Sequence, residues 1–281
     1  MKISLITACY NCDATICDAV KSVLGQNLSG FDLEYIIVDG GSKDGTVSLI
    51  QKMESTIGNR ERGTGNGKEN NSTRSTRFEF RWLSETDEGM YDAINKGIRM
   101  ATGDVVGILN ADDMLESSDT LAKIAAQFDS AGNRERVDCV YADIRFVKDD
   151  LQTTSRYYSA KHWKPWMLQW GKMPPHPSVY IRRELLDQYG MYKLGYDIAA
   201  DYELLIRYLR MAKLSTKYLN ESLVRMQMGG KSTRGWKSFV TLNREIVRGN
   251  RENGYFCCFP MLLPKYFFKI FEFILPRLGI K

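Results

Sequence analysis

Short apolar, β-rich runs alternate with stretches of helical period through the first half of the chain, and this alternation limits the fold more than any other feature. Lys2–Ala8, Leu33–Val38, Phe78–Leu83, Val105–Leu109 and Cys139–Phe146 read as strands. Leu33–Val38 is almost continuously apolar, as strands covered on both faces of a parallel sheet are. Between the strands, Ile16, Val20, Val23 and Leu24 share one helical face, with Asp13 as the expected N-cap. Val47 and Ile50 mark a second helix, and Met90–Ala101 and Thr120–Phe128 supply two more. The pattern predicts an α/β fold, a mostly parallel Rossmann-like sheet with helices on both faces.

In open sheets of this kind, ligands bind beyond the carboxyl ends of the strands. Asn110-Ala111-Asp112-Asp113 stands at such an end, directly after Val105–Leu109. Clustered oxygen ligands there suit a hard divalent cation, Mg²⁺ or Mn²⁺, which would in turn hold phosphate oxygens. The plainer reading is that the two aspartates cap a helix starting near Ser117.

The net charge of +5 is unevenly spread. Residues 58–77 carry five Lys/Arg against two Asp/Glu, and residues 231–281 carry ten against three, so the rest of the chain is −5. A nucleic-acid binder would spread basic charge across the folded domain, so nucleic acid is not an expected partner. Residues 58–77 contain no apolar side chain and read as a flexible surface insertion. Gly63-Thr-Gly-Asn-Gly67 within it lacks the flanking strand, helix and Gly-Lys-Ser/Thr ending of a phosphate loop. The six cysteines show no disulfide framework, and the lone Cys9-x-x-Cys12 pair is too few ligands for a closed zinc site. Together with the lack of a secretory signal before the first strand, this points to a cytoplasmic protein.

Beyond residue 150 the alternation breaks down. Trp163, Trp166, Trp170, Pro174, Pro175 and His176 crowd one stretch, which reads equally as a satellite core or as one wall of a sugar site. A helix is expected over Ala200–Ala212. Near the C-terminus, the eleven residues between Pro264 and Pro276 place Lys265, Lys269 and Glu272 on one stripe of an otherwise apolar helix. That is too short to span a bilayer, which takes ~20 residues, and it fits a helix lying on an anionic membrane surface. A helix docked on the protein itself is the alternative.

Taken in order, several motifs resemble the family 2 glycosyltransferases of the GT-A fold, in the bacterial branch that builds surface polysaccharides and lipid-linked repeat units. They are Thr7-Ala-Cys-Tyr-Asn11, Val38-Asp-Gly-Gly-Ser-Lys-Asp-Gly-Thr46, Asp87-Glu-Gly-Met-Tyr-Asp-Ala-Ile-Asn-Lys-Gly97, Leu109-Asn-Ala-Asp-Asp113 and Ala200-Asp-Tyr-Glu-Leu-Leu-Ile-Arg207. The resemblance spans residues 1–230 and leaves 231–281 as a basic helical extension.

The resemblance implies roles for particular residues. Thr7, Ala8 and Tyr10 would line a nucleotide-base pocket, and Asp39 would accept a hydrogen bond from the base. Asp92, Asn95 and Lys96 would approach the nucleotide-sugar, with Lys96 near a phosphate or simply paired with Asp92. Asn110 and Ala111 would also face the donor. Asp112, with Asp113, would ligate the metal.

Asp201 would be the general base, His176 and Trp170 would lie near the diphosphate or acceptor, and Met228-Gly-Gly-Lys-Ser232 would close over the donor. Asn110, Gly40 and Ala200 replace acidic residues of the family pattern. The implied reaction is inverting, metal-dependent transfer of one sugar from a nucleotide-sugar, UDP first with GDP or dTDP compatible. Its acceptor would be lipid-linked or saccharide, at the inner face of the cell membrane. A polyprenyl-phosphate glycosyltransferase and a catalytically degenerate nucleotide-sugar-binding scaffold are the competing readings.

Overall fold

A computed structural model describes residues 1–63, 78–129, 136–227 and 235–266. Four strands follow the expected alternation: β1 (Lys2–Cys9), β2 (Asp32–Asp39), β3 (Phe78–Ser84) and β4 (Val105–Ile108). They pair in parallel in the order β3-β2-β1-β4. The helices between them are α1 (Ile16–Leu24), α2 (Thr46–Gly63) and α3 (Met90–Met100). α1 buries Ile16, Ala19, Val20 and Val23, the stripe its sequence period lays down.

The sheet then changes character. A short strand β5 (Asp113–Leu115) and helix α4 (Thr120–Phe128) precede β6 (Cys139–Val147) and β7 (Thr154–Tyr158). After the 3₁₀ turns Pro165–Trp170 and His176–Ser178 come β8 (Tyr180–Arg182), α5 (Arg183–Tyr189), α6 (Ala200–Leu205), β9 (Thr216–Gln227) and α7 (Gly235–Glu252). β8 runs antiparallel between β4 and β6, β9 lies parallel to β6, and β5 closes the far edge antiparallel to β9. Among the described residues the result is one mixed nine-stranded sheet, α/β as expected, with apolar cores on its two faces.

Local expectations needed correction at several points. Asp13 does not cap α1: the residue before the helix is Thr15, and Asp13 Oδ2 instead accepts from the Gly45 amide at 3.4 Å. Asp112 and Asp113 cap no helix, because β5 intervenes. The insertion begins later than expected, since α2 continues to Gly63, and its remainder over 64–77 lies outside the described residues. The single helix expected over Ala200–Ala212 is α6 followed without a break by a π-helical turn, Ile206–Met211. α7, which lies beyond residue 230, packs on α6: Asn250 Nδ2 donates to the Tyr202 hydroxyl at 2.9 Å, and from the turn after α7 Asn253 Nδ2 donates to Glu203 Oε1 at 3.0 Å.

Candidate active site

Parallel strands end where their following loops begin, so the crevice at the carboxyl ends of β1 to β4 is built by four loops. The first two are stitched together. Asn11 donates its amide to Ser42 Oγ at 2.7 Å and accepts from the Lys43 amide at 2.9 Å, which holds Asn11 at a positive φ of 51°. Tyr10 stays exposed on this rim and Ala8 is half-buried, but the Thr7 hydroxyl turns into the core and pairs with Tyr35 Oη at 3.1 Å. What Thr7 offers the crevice is therefore its backbone, the part expected to line a base pocket together with Ala8 and the Tyr10 ring.

Asp39 is fully buried and shapes its own loop. Its carboxylate accepts from the amides of Gly41 and Ser42 at 3.1 and 3.0 Å, from Ser84 Oγ at 2.7 Å and from Ser42 Oγ. This is the geometry of a turn former. At Gly40, a Cβ would collide with the Asp87 carboxylate. The apparent loss of an acidic group at position 40 is thus accompanied by a carboxylate entering the same space from the loop after β3. The Asp87–Gly97 motif implies no role for Asp87, and its packing against Gly40 singles it out.

That loop, residues 85–89, is braced from α3. Asp92 Oδ2 accepts from the Glu88 amide at 3.2 Å, while Lys96 Nζ donates to Thr86 O at 2.8 Å and pairs with Glu85 at 2.9 Å. The hydrogen bond to Glu85 raises the Lys96 pKa, so the ammonium is retained. Asn95 departs from the expected donor contact. Its buried amide clasps the backbone of Tyr192, donating to O at 2.8 Å and accepting from N at 3.0 Å.

At the end of β4, Asn110 Nδ2 donates to Asp113 Oδ2 at 2.7 Å, and Ala111 packs into the core instead of facing the crevice. Asp113 is fully buried, and burial followed by the Asp112 charge pushes its carboxyl well up from the ordinary value. Its Oδ1 has no hydrogen-bond partner, an expensive arrangement for a buried oxygen. Among the described residues no group of three His, Cys, Asp or Glu side chains could cage a metal. Mg²⁺ needs no such cage, because one or two carboxylates can hold it when phosphates and waters complete the shell. The orphaned oxygen beside a half-buried Asp112 fits a cation bound in that way.

Asp201 stands on the first turn of α6. Tyr91, on the first turn of α3, donates its hydroxyl to Ile198 O and approaches Asp201 Oδ1 at 3.4 Å. Tyr91 also stacks on Tyr192 with centroids 5.7 Å apart, and the Tyr192 hydroxyl meets His176 Nε2 at 2.6 Å. Burial raises the Asp201 pKa, with the nearby His176 opposing, and burial lowers the His176 pKa. Asp201 and His176 are thus brought together, through two tyrosines that sequence reasoning did not single out. Trp170 is placed elsewhere. Its turn packs on the π-helical turn and on Phe259–Leu262, with the indole partly exposed, while Trp163 is buried and donates to Lys172 O at 2.9 Å. The glycine-containing segment 228–232 lies outside the described residues.

Comparison with known proteins agrees with this architecture. Residues 4–190 match the family model described as "Glycosyl transferase family 2". A PGL/p-HBAD biosynthesis glycosyltransferase of Mycobacterium bovis is 28% identical over 217 residues, covering 77% of this chain and 73% of the relative. Among solved structures, Staphylococcus aureus TarS 1–349 in complex with UDP-GlcNAc superposes with a TM-score of 0.60 at 18% identity, covering 89% of this chain and 66% of TarS 1–349. A mannosyltransferase from Pyrobaculum calidifontis in complex with GDP-Man and Mn²⁺ also gives 0.60 at 18% identity, covering 89% of this chain and 63% of its own length. The chain therefore spans slightly less than two thirds of these solved chains, and at such identities they establish the fold.

Proposed function

We propose that this chain, which belongs to the family 2 glycosyltransferases, moves one sugar from a nucleotide-diphosphate sugar to an acceptor hydroxyl with inversion at the anomeric carbon. The reading is supported by two carboxylate sites, each reached from the carboxyl end of a parallel strand. Asp112 and Asp113 follow β4, and Asp201 is tied to Tyr91 at the start of the helix that follows β3.

The donor would lie over the carboxyl ends of β1, β2 and β4. Its base would sit between Tyr10 and the loop shaped by Asp39, which reaches a base N–H only by exchanging a serine hydroxyl donor. The base of a uridine or guanosine diphosphate sugar offers such an N–H, and the TarS complex with UDP-GlcNAc makes UDP-sugars the first donors to test. Lys96 and Asp92 hold the 85–89 loop against the donor, and His176 faces the diphosphate or acceptor.

Mg²⁺ or Mn²⁺ would be held by Asp112, with Asp113 behind it, and when bound supplies positive charge to the departing diphosphate. Asp201 takes the proton from the acceptor hydroxyl as the new glycosidic bond forms and the bond to the diphosphate breaks, so no covalent enzyme intermediate is needed. The acceptor would be a lipid-linked or polysaccharide hydroxyl. The basic C-terminal segment fits an anionic membrane at the cytoplasmic face, as do exposed Trp236, Phe256, Phe259 and Leu263 beside Lys237. No helix among the described residues is long and apolar enough to cross a membrane.

Asp201→Asn tests the reading. Transfer should fall ~10²–10⁴-fold, the usual contribution of a general base, with donor binding retained. A wild-type rate in this variant would remove Asp201 from the chemistry.

A further inference from the structure

The turn that presents Asp201 is held by a residue outside the matched region. Glu245, in the middle of α7 and almost fully buried, accepts three consecutive backbone amides. Its Oε1 takes Asp197 N at 2.7 Å, and its Oε2 takes Ile198 N and Ala199 N at 2.9 and 2.8 Å. These donors immediately precede α6, where a negative charge is favoured by the unsatisfied amides and dipole of a helix start. Ile198, between the other two, is also the residue whose carbonyl receives the Tyr91 hydroxyl. On the other side of Asp201, α7 reaches Tyr202 through Asn250, and the turn that ends it reaches Glu203 through Asn253. The backbone around Asp201 is therefore gripped before and after by one helix. Position 200 carries a fully buried alanine and supplies no carboxylate of its own.

We propose that Glu245 is the positioning residue for the general base, and that α7 belongs to the catalytic unit. The inference rests on Asp201 being that base. A carboxylate bridging three amides fixes where the first turn of α6 starts, and so fixes the direction in which Asp201 meets an acceptor hydroxyl. A displaced base is a poor one, since a misplacement of about 1 Å costs ~10²-fold in rate.

The test uses the full chain with Glu245→Gln, which keeps the size but places an amide N–H₂ against backbone donors, and Glu245→Asp, which keeps the charge on a shorter stem. Amide hydrogen exchange of a peptide covering 196–204 should speed up in both, while peptides covering 33–46 stay protected as in the wild type. In transfer assays with the active donor, kcat should fall ~10–100-fold in Glu245→Gln and less in Glu245→Asp, with Mn²⁺-dependent donor affinity unchanged.

Faster exchange at 196–204 with an unchanged kcat would overturn the proposal, as would parallel losses of kcat and donor affinity, which signify general loosening. If Glu245→Gln does not fold, Glu245→Asp carries the same readouts. Full activity in Asp201→Asn would instead defeat the assignment of the base, and the exchange result would still report whether Glu245 holds the turn.

Discussion

Asp112 and Asp201 are asked to do different work, and single substitutions should separate them. Asp112→Ala should lower transfer ~10²–10³-fold, as loss of an electrostatic stabiliser does, and should also abolish the effect of Mn²⁺ on donor affinity. Asp201→Asn should leave that effect intact, which titration calorimetry with and without chelator can read. Acidity supplies a second check. Burial raises the folded-state pKa of Asp201 above the usual carboxylate value, so the base form accumulates only at higher pH. The rate at subsaturating acceptor should therefore rise with pH through a limb above the ordinary aspartate range, and a limb at the ordinary value would contradict the assignment. Asp112, Asp113 and Asp201 stand out as candidates in the sequence because carboxylates at a strand end and at a helix start carry positional meaning. Which way the Asn95 and Thr7 side chains face was not legible, because a polar side chain beside a motif can turn inward as readily as outward, and their hydrogen bonds to Tyr192 and Tyr35 set it.

At the scale of elements, the crevice depends on how closely α3 lies on the sheet. A Cβ at Gly97 would meet Ile6 Cγ2 at 2.5 Å and Val38 Cγ2 at 3.4 Å, so the helix rests on β1 and β2 through a glycine. Gly97→Val should destabilise the fold by ~1–3 kcal/mol, the usual cost of overpacking, as read from the midpoint of urea unfolding. It should also weaken donor binding, because Asp92 and Lys96 on the same helix brace the 85–89 loop. Unchanged donor affinity in a destabilised variant would show that the loop keeps its place without the helix. β2 and β4 were readable as buried apolar runs, and β1 and the edge strand β3, which has no fully buried residue, by their alternation of apolar and polar side chains. β5 and β8 were not, since three residues each carry no period of their own and exist only through their partners β9, β4 and β6.

For the whole molecule, the motifs end near residue 230, yet α7 beyond that point packs against the elements that present Asp201. α7 contacts α6 on both sides of Asp201, an arrangement that sequence spacing cannot reveal because the residues that meet lie some 40 to 50 positions apart, as Glu245 does from Ile198. Folding and catalysis should therefore tolerate removal of 267–281 and fail on removal of α7. Loss of 267–281 should release the protein from anionic phosphatidylglycerol vesicles in sedimentation while leaving transfer to a soluble acceptor intact; undiminished vesicle binding would assign the membrane contact to the folded surface instead.

The central claim, a metal-assisted nucleotide-sugar site at the carboxyl ends of β1 to β4, is tested most directly by thermal unfolding of the wild type and Asp112→Ala. Each would be scanned with a panel of UDP-, GDP- and dTDP-sugars, in Mn²⁺ and in chelator. The account predicts stabilisation of the wild type by one nucleotide class, dependent on Mn²⁺ and lost in Asp112→Ala. Equal stabilisation of both proteins, or none by any donor, would contradict it.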